Sequence, residues 1–118
     1  MTTIHDVEVF LRDFKIKSEV FGLVFWDTRQ KNTQALFDLE LTWAKRLDIV
    51  KLITAKEYSE GPVDDSLFGI AGLWVFGKKY KDQDIYIKIS MGNKDDCAIC
   101  ISFHRAEHPM KYPLKSIL

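Results

Sequence analysis

Hydrophobic positions recur along the chain with two periods, helical in the first half and alternating in the second. In DVEVFLRDFKIK, Val7, Phe10, Leu11 and Phe14 stand at helical spacing with charges between them, which predicts an amphipathic helix from about Ile4 to Lys17. FGLVFWD reads as a short strand or extended segment, and a helical turn or two is expected around Gln34 to Leu39. In LTWAKRLDIVKLI, Thr42 is a natural N-cap, and Trp43, Leu47 and Val50 line one stripe. TAKEYSEGPVDDSLFGIAG carries three glycines, a proline and three acids after Tyr58, and reads as a long loop, with DDSLFG a turn or helix cap.

Three extended segments follow, AGLWVFGKKY, QDIYIKISM and CAICISFHR, joined by hairpin-like turns. Side chains alternate along a strand, so Ile85, Ile87 and Ile89 point one way, and Tyr86, Lys88 and Ser90 the other. In the last segment Ile99, Ile101 and Phe103 share the core face, which leaves Cys100, Ser102 and His104 opposite. The same alternation, carried back, puts Leu73 and Val75 inward and Trp74, Phe76 and Lys78 outward. The tail HPMKYPLKSIL has two prolines that exclude a regular helix or inner strand, leaving a covering strap or a partly ordered end. The pattern predicts one α+β domain over residues 1–118, with N-terminal helices packed on one face of an antiparallel sheet.

At 118 residues the chain is long enough to bury a core without disulfides. Its two cysteines form CAIC at the start of a strand, where the side chains fall on opposite faces. That placement favours reduced thiols over a redox pair, which needs a helix N-terminus, and over zinc, which would have to recruit His104, His108 or an acid. No apolar run approaches bilayer length and the first residues lack the pattern of a signal peptide, so a cytoplasmic protein with no membrane part is expected. Net charge is zero but unevenly spread. Residues 1–72 hold nine Lys/Arg against twelve Asp/Glu, for −3, and residues 73–118 hold eight against five, for +3. The basic excess falls in the strand-rich half, where a local basic face can bind phosphate.

The expected outer face therefore shows Trp74, Phe76, Tyr86, Lys88, Ser90, Cys100, Ser102 and His104. Rings on which bases stack, beside cations for phosphates, suit single-stranded RNA. The sequence offers no cluster of acids at metal spacing and no nucleophile–base–acid triad. RNA can be cut without either, because its own 2′-hydroxyl attacks the adjacent phosphorus, given a base, a cation for the phosphoryl charge and an acid for the leaving oxygen. His104 titrates near neutral pH and is the candidate for proton transfer. Lys88 is the candidate electrostatic clamp, and Tyr86 a proton donor or phosphate orienter. Trp74 and Ser102 belong to the same candidate RNA-binding face, with Lys78 and Arg105 to hold the backbone, although Arg105 nominally points to the other side. His108, before a proline, and His5, on the first helix, read as ordinary histidines. No cofactor is called for.

At these residues the chain resembles the MqsR family of bacterial type II toxins, messenger-RNA interferases of the wider RelE-like superfamily. The similarity runs from about Lys31 onward and is strongest in LWVFGKKYKDQDIYIKIS and CAICISFH. Trp74 leads the tryptophan strand, Tyr86 and Lys88 form the Tyr-x-Lys pair, and Ser102, Phe103 and His104 match the final Ser-Phe-basic run. The resemblance implies a small fold with an antiparallel sheet and metal-independent endoribonuclease activity. It also implies messenger RNA as substrate, free or on the ribosome, and a cognate antitoxin as protein partner. The family's cleavage tyrosine falls on Tyr86 and its terminal lysine on His104. A family glutamine falls on Val75 and a loop lysine near Glu60; these two departures suit the alternative, a non-catalytic RNA-binding or protein-interaction domain on the same fold.

Overall fold

A computed structural model describes residues 2–27, 30–65 and 70–116. The first helix, α1 (Ile4–Phe21), begins at a capping box in which the Thr3 hydroxyl accepts from the Asp6 amide and the Asp6 carboxylate accepts from the Thr3 amide. It runs a turn further than the periodicity predicts and stops at Gly22, whose φ of 90° suits a residue without Cβ. Val7, Phe10, Leu11 and Phe14 are its buried residues, as the spacing requires, together with Ser18. The short strand β1 (Leu23–Phe25) follows, then α2 (Gln30–Asp38) and α3 (Trp43–Lys51), which Thr42 caps as expected.

The buried stripe of α3 differs from the expected one. Arg46, Ile49 and Val50 are inside, while Trp43 is 52% exposed. Arg46 is wholly buried because its guanidinium donates to both oxygens of Asp27, at 2.7 and 2.9 Å, and lies 3.8 Å over the Phe25 ring. A paired planar cation is thereby tolerated where an apolar residue would be expected.

The supposed loop after Ile53 is largely strand. A single 3₁₀ turn (Ala55–Glu57) leads into β2 (Tyr58–Asp65), which pairs antiparallel with β3 (Ile70–Tyr80) through an irregular register. Glycine and proline argued against a strand there, but an edge position with register shifts accommodates both. Residues 66–69 of DDSLFG lie outside the described residues. β4 (Gln83–Ser90) and β5 (Ala98–Arg105) complete a five-stranded sheet ordered β1-β5-β4-β3-β2. The sheet is mixed rather than wholly antiparallel, because β1 runs parallel to β5. The class is α+β, with helix and strand side chains sharing one core that includes Phe10, Phe14, Ile49, Phe76, Ile85, Ile87, Ile89 and Phe103.

Two features set which side chains face the helices. The β3–β4 turn has two residues, Lys81 and Asp82, both at positive φ, with Tyr80 opposite Gln83. That register puts Trp74, Phe76 and Lys78 opposite Ile89, Ile87 and Ile85, hence on the helix side; the expected parity of β3 is reversed. In β5 the residue Ile101 is an extra one, since Ser102 pairs with Lys88 and Cys100 with Ile89. This bulge turns Cys100 into the core and leaves Ile99 opposite Ser90, correcting the expected faces of both. Asn32 holds the bulge in place of a continued β1. Its carboxamide donates to the Ile101 and Trp26 carbonyls, at 2.7 and 3.0 Å, and accepts from the Phe103 amide at 3.0 Å.

Among the described residues no helix is long and apolar enough to cross a membrane.

Candidate functional site

Register brings the centre of the predicted site together. Tyr86 pairs with His104 and Lys88 with Ser102, so the four side chains occupy adjacent positions on the face away from the helices. The Tyr86 and His104 rings stack with centroids 5.3 Å apart and planes 13° from parallel. The Lys88 ammonium lies 5.9 Å from the Tyr86 ring centroid, and among the described residues it has no ion pair. Ser102 is buried beneath them, and the other three are part-exposed.

His104 Nδ1 lies 2.9 Å from the Arg105 carbonyl oxygen. A carbonyl can only accept, so this contact assigns the proton of the neutral ring to Nδ1. Nε2 then carries the lone pair and is the atom able to take a proton.

The tail supplies a wall. After β5 the chain turns where the Ala106 amide donates to the Asp84 carbonyl, and it crosses the outer face as a strap. The strap seats on Gly77, where a Cβ would come within 2.3 Å of the Tyr112 hydroxyl and 2.7 Å of the Met110 sulfur. Tyr112 donates to Asp84 at 3.2 Å, and Leu114 is buried with the main core. Burial, with the Asp84 carboxylate next, pushes the Tyr112 hydroxyl up to about 12 and keeps this anchor protonated. Between strap and sheet lies a groove of about 440 Å³. Tyr86, Lys88, Ser102 and His104 line it from the sheet, and His108 and Lys111 line it from the strap. A larger cleft of about 680 Å³ adjoins it on the α2 side and shares His104 and His108 with it. Lys31 and Glu107, joined at 2.6 Å, border both.

Other predicted site residues lie elsewhere. Trp74 stands on the helix side, stacked 4.6 Å from Phe10 at 13° and meeting Tyr58 edge-on, so it is not on the groove face. Lys78 is on the same inner side, 3.0 Å from Glu57, and is likewise corrected. Arg105 also points to the α2 side, against Gln83 at 3.3 Å and Asp38 at 3.7 Å, where it lines the larger cleft. Cys97 is half-buried and Cys100 fully buried, and burial pushes the Cys100 thiol up to about 12. Among the described residues no group of three or more His, Cys, Asp or Glu stands close enough to hold a metal ion.

The sequence reading missed Lys31, Lys111 and His108 on the groove. No local pattern marks them, since they reach it from a helix surface and from a non-repetitive tail. Compared with family profiles, curated proteins and solved structures, the chain matches none.

Proposed function

We propose that this protein is an endoribonuclease of the messenger-RNA interferase type, resembling the MqsR toxins, that cleaves RNA through its own 2′-hydroxyl. The observation that carries the proposal is a lysine without an ion pair among the described residues, Lys88, beside a stacked Tyr86–His104 pair in one groove. An ammonium without a carboxylate partner among the described residues is a ready phosphate site, and a part-exposed imidazole lining the same groove can take or give a proton.

In the proposed reaction Nε2 of His104 takes the proton of the 2′-hydroxyl, and the 2′-oxygen bonds to phosphorus. Lys88 balances the charge on the non-bridging oxygens, and Tyr86 orients the phosphate. The P–O5′ bond breaks, leaving a 2′,3′-cyclic phosphate and a 5′-hydroxyl. No step needs a metal. The non-catalytic alternative would be favoured by a strap covering these groups. Instead the strap rests on Gly77 and leaves Tyr86, Lys88 and His104 part-exposed.

Messenger RNA is the proposed substrate, free or ribosome-bound. A cognate antitoxin is the proposed protein partner, expected to co-purify from the neighbouring gene. The test is digestion of a mixed RNA pool with purified protein. Cyclic phosphate ends, indifference to EDTA and resistance of an RNA with 2′-deoxy at the cleavage position are expected. Cleavage of that deoxy substrate, or loss of activity with EDTA, would overturn the mechanism.

A further inference from the structure

A 2′-hydroxyl attack needs two proton transfers on opposite sides of one phosphorus. The attacking and leaving oxygens lie roughly in line, so a base on one side cannot also protonate the leaving oxygen on the other. The sheet supplies a single imidazole, and Tyr86 is stacked flat against it on the same floor. A second group must reach in from the wall.

The wall carries His108. It lines the groove together with Tyr86, Lys88 and His104, and it lines the adjoining cleft with His104 as well. Its position is held from both sides along the chain. Before it, Glu107 is tied to Lys31 of α2. After it comes Pro109, whose φ is fixed, and then the Met110 and Tyr112 contacts at Gly77. The Glu107 carboxylate is held below its ordinary range first by Lys31, with His104 and His108 contributing, so one anion lies within the field of both rings.

We propose that His108 is the second catalytic histidine, the general acid that protonates the leaving 5′-oxygen while His104 acts as base. This inference rests on the RNA-cleavage proposal. The protonated imidazole of His108 gives its proton to O5′ as the P–O5′ bond breaks and the electron pair passes to that oxygen. His104 gains the proton of the 2′-hydroxyl. Exchange with water restores both rings, and nothing is oxidised or reduced.

The test uses two RNA substrates that differ at one atom, the ordinary 5′-oxygen or a sulfur in its place at the scissile bond. A thiolate leaves without protonation, so it removes the need for an acid and leaves the need for a base. His108→Gln is expected to slow cleavage of the oxygen substrate about 10²-fold or more. On the sulfur substrate it should come within about tenfold of the unsubstituted protein, while His104→Ala stays slow on both. His108 is exposed, so thermal midpoints of wild type and variant should agree. Equal loss on both substrates, or no loss on the oxygen substrate, would overturn the assignment of His108 alone. If the unsubstituted protein cleaves neither substrate, the RNA-cleavage proposal falls with it.

Discussion

The two faces of β4 differ by one residue of register and by almost everything else. Ile85, Ile87 and Ile89 are fully buried, alike in chemistry, and touch a core built from three helices. Tyr86 and Lys88, between them, are part-exposed, unlike each other, and share a groove with two histidines. Burial accounts for the first set: any apolar group of the right volume would serve. It does not account for the second, where a lysine remains without an ion pair among the described residues. One strand thus shows what stability asks of a sequence and, on its reverse, what stability leaves unexplained.

That contrast can be broken by substitution. Ile87→Ala should cost about 2–5 kcal/mol in chemical denaturation, because a fully buried isoleucine leaves a cavity among packed neighbours. Gly77→Val tests the strap, since a side chain there must displace Tyr112 and Met110. The expected cost is about 1–3 kcal/mol, with faster tryptic cleavage after Lys111 or Lys115. An unchanged proteolysis pattern would mean that the strap does not depend on Gly77. Lys88→Met should alter stability by no more than about 0.5 kcal/mol. It should weaken RNA binding at every salt concentration and reduce the salt slope by about one, as loss of one phosphate contact does.

The two thiols differ in accessibility. At pH 8 iodoacetamide should label Cys97 in the native protein and reach Cys100 only on unfolding. Burial raises the Cys100 pKa from 9.0 to about 12. The unfolded chain therefore releases this proton first, and stability present below pH 9 is lost as pH rises towards 12. Rapid double labelling of native protein would contradict the inward turn of Cys100 at the bulge.

How far the fold was legible follows from the range of each interaction. The first helix, the Thr42 cap, the two hairpins and the Ile85–Ile87–Ile89 face depend on neighbours in sequence, and local patterns carry them. The parity of β3 depends on whether its turn spans two residues or more, which KKYKDQD leaves open. The inward turn of Cys100 depends on an extra residue held by Asn32, 69 positions from the carbonyl it binds. β2 reads as loop because Gly61 and Pro62 interrupt any strand pattern, and its pairing with β3 shifts register three times. At the site, Tyr86, Lys88, Ser102 and His104 were legible because adjacent strands align them by alternation alone. Trp74 and Lys78 were misplaced by the same parity error that misplaced Phe76. His108 was legible only once the strap had been traced back over the sheet.

The most direct test places the two faces in one experiment. Wild type, His104→Ala and Ile87→Ala would be assayed for cleavage of an RNA pool, with and without translating ribosomes, and for the denaturation midpoint of each preparation. His104→Ala is expected to lose about 10²-fold or more in cleavage while keeping its stability within about 1 kcal/mol, whereas Ile87→Ala loses stability and, where folded, still cleaves. Equal cleavage by wild type and His104→Ala would contradict this expectation, as would no cleavage by wild type under either condition.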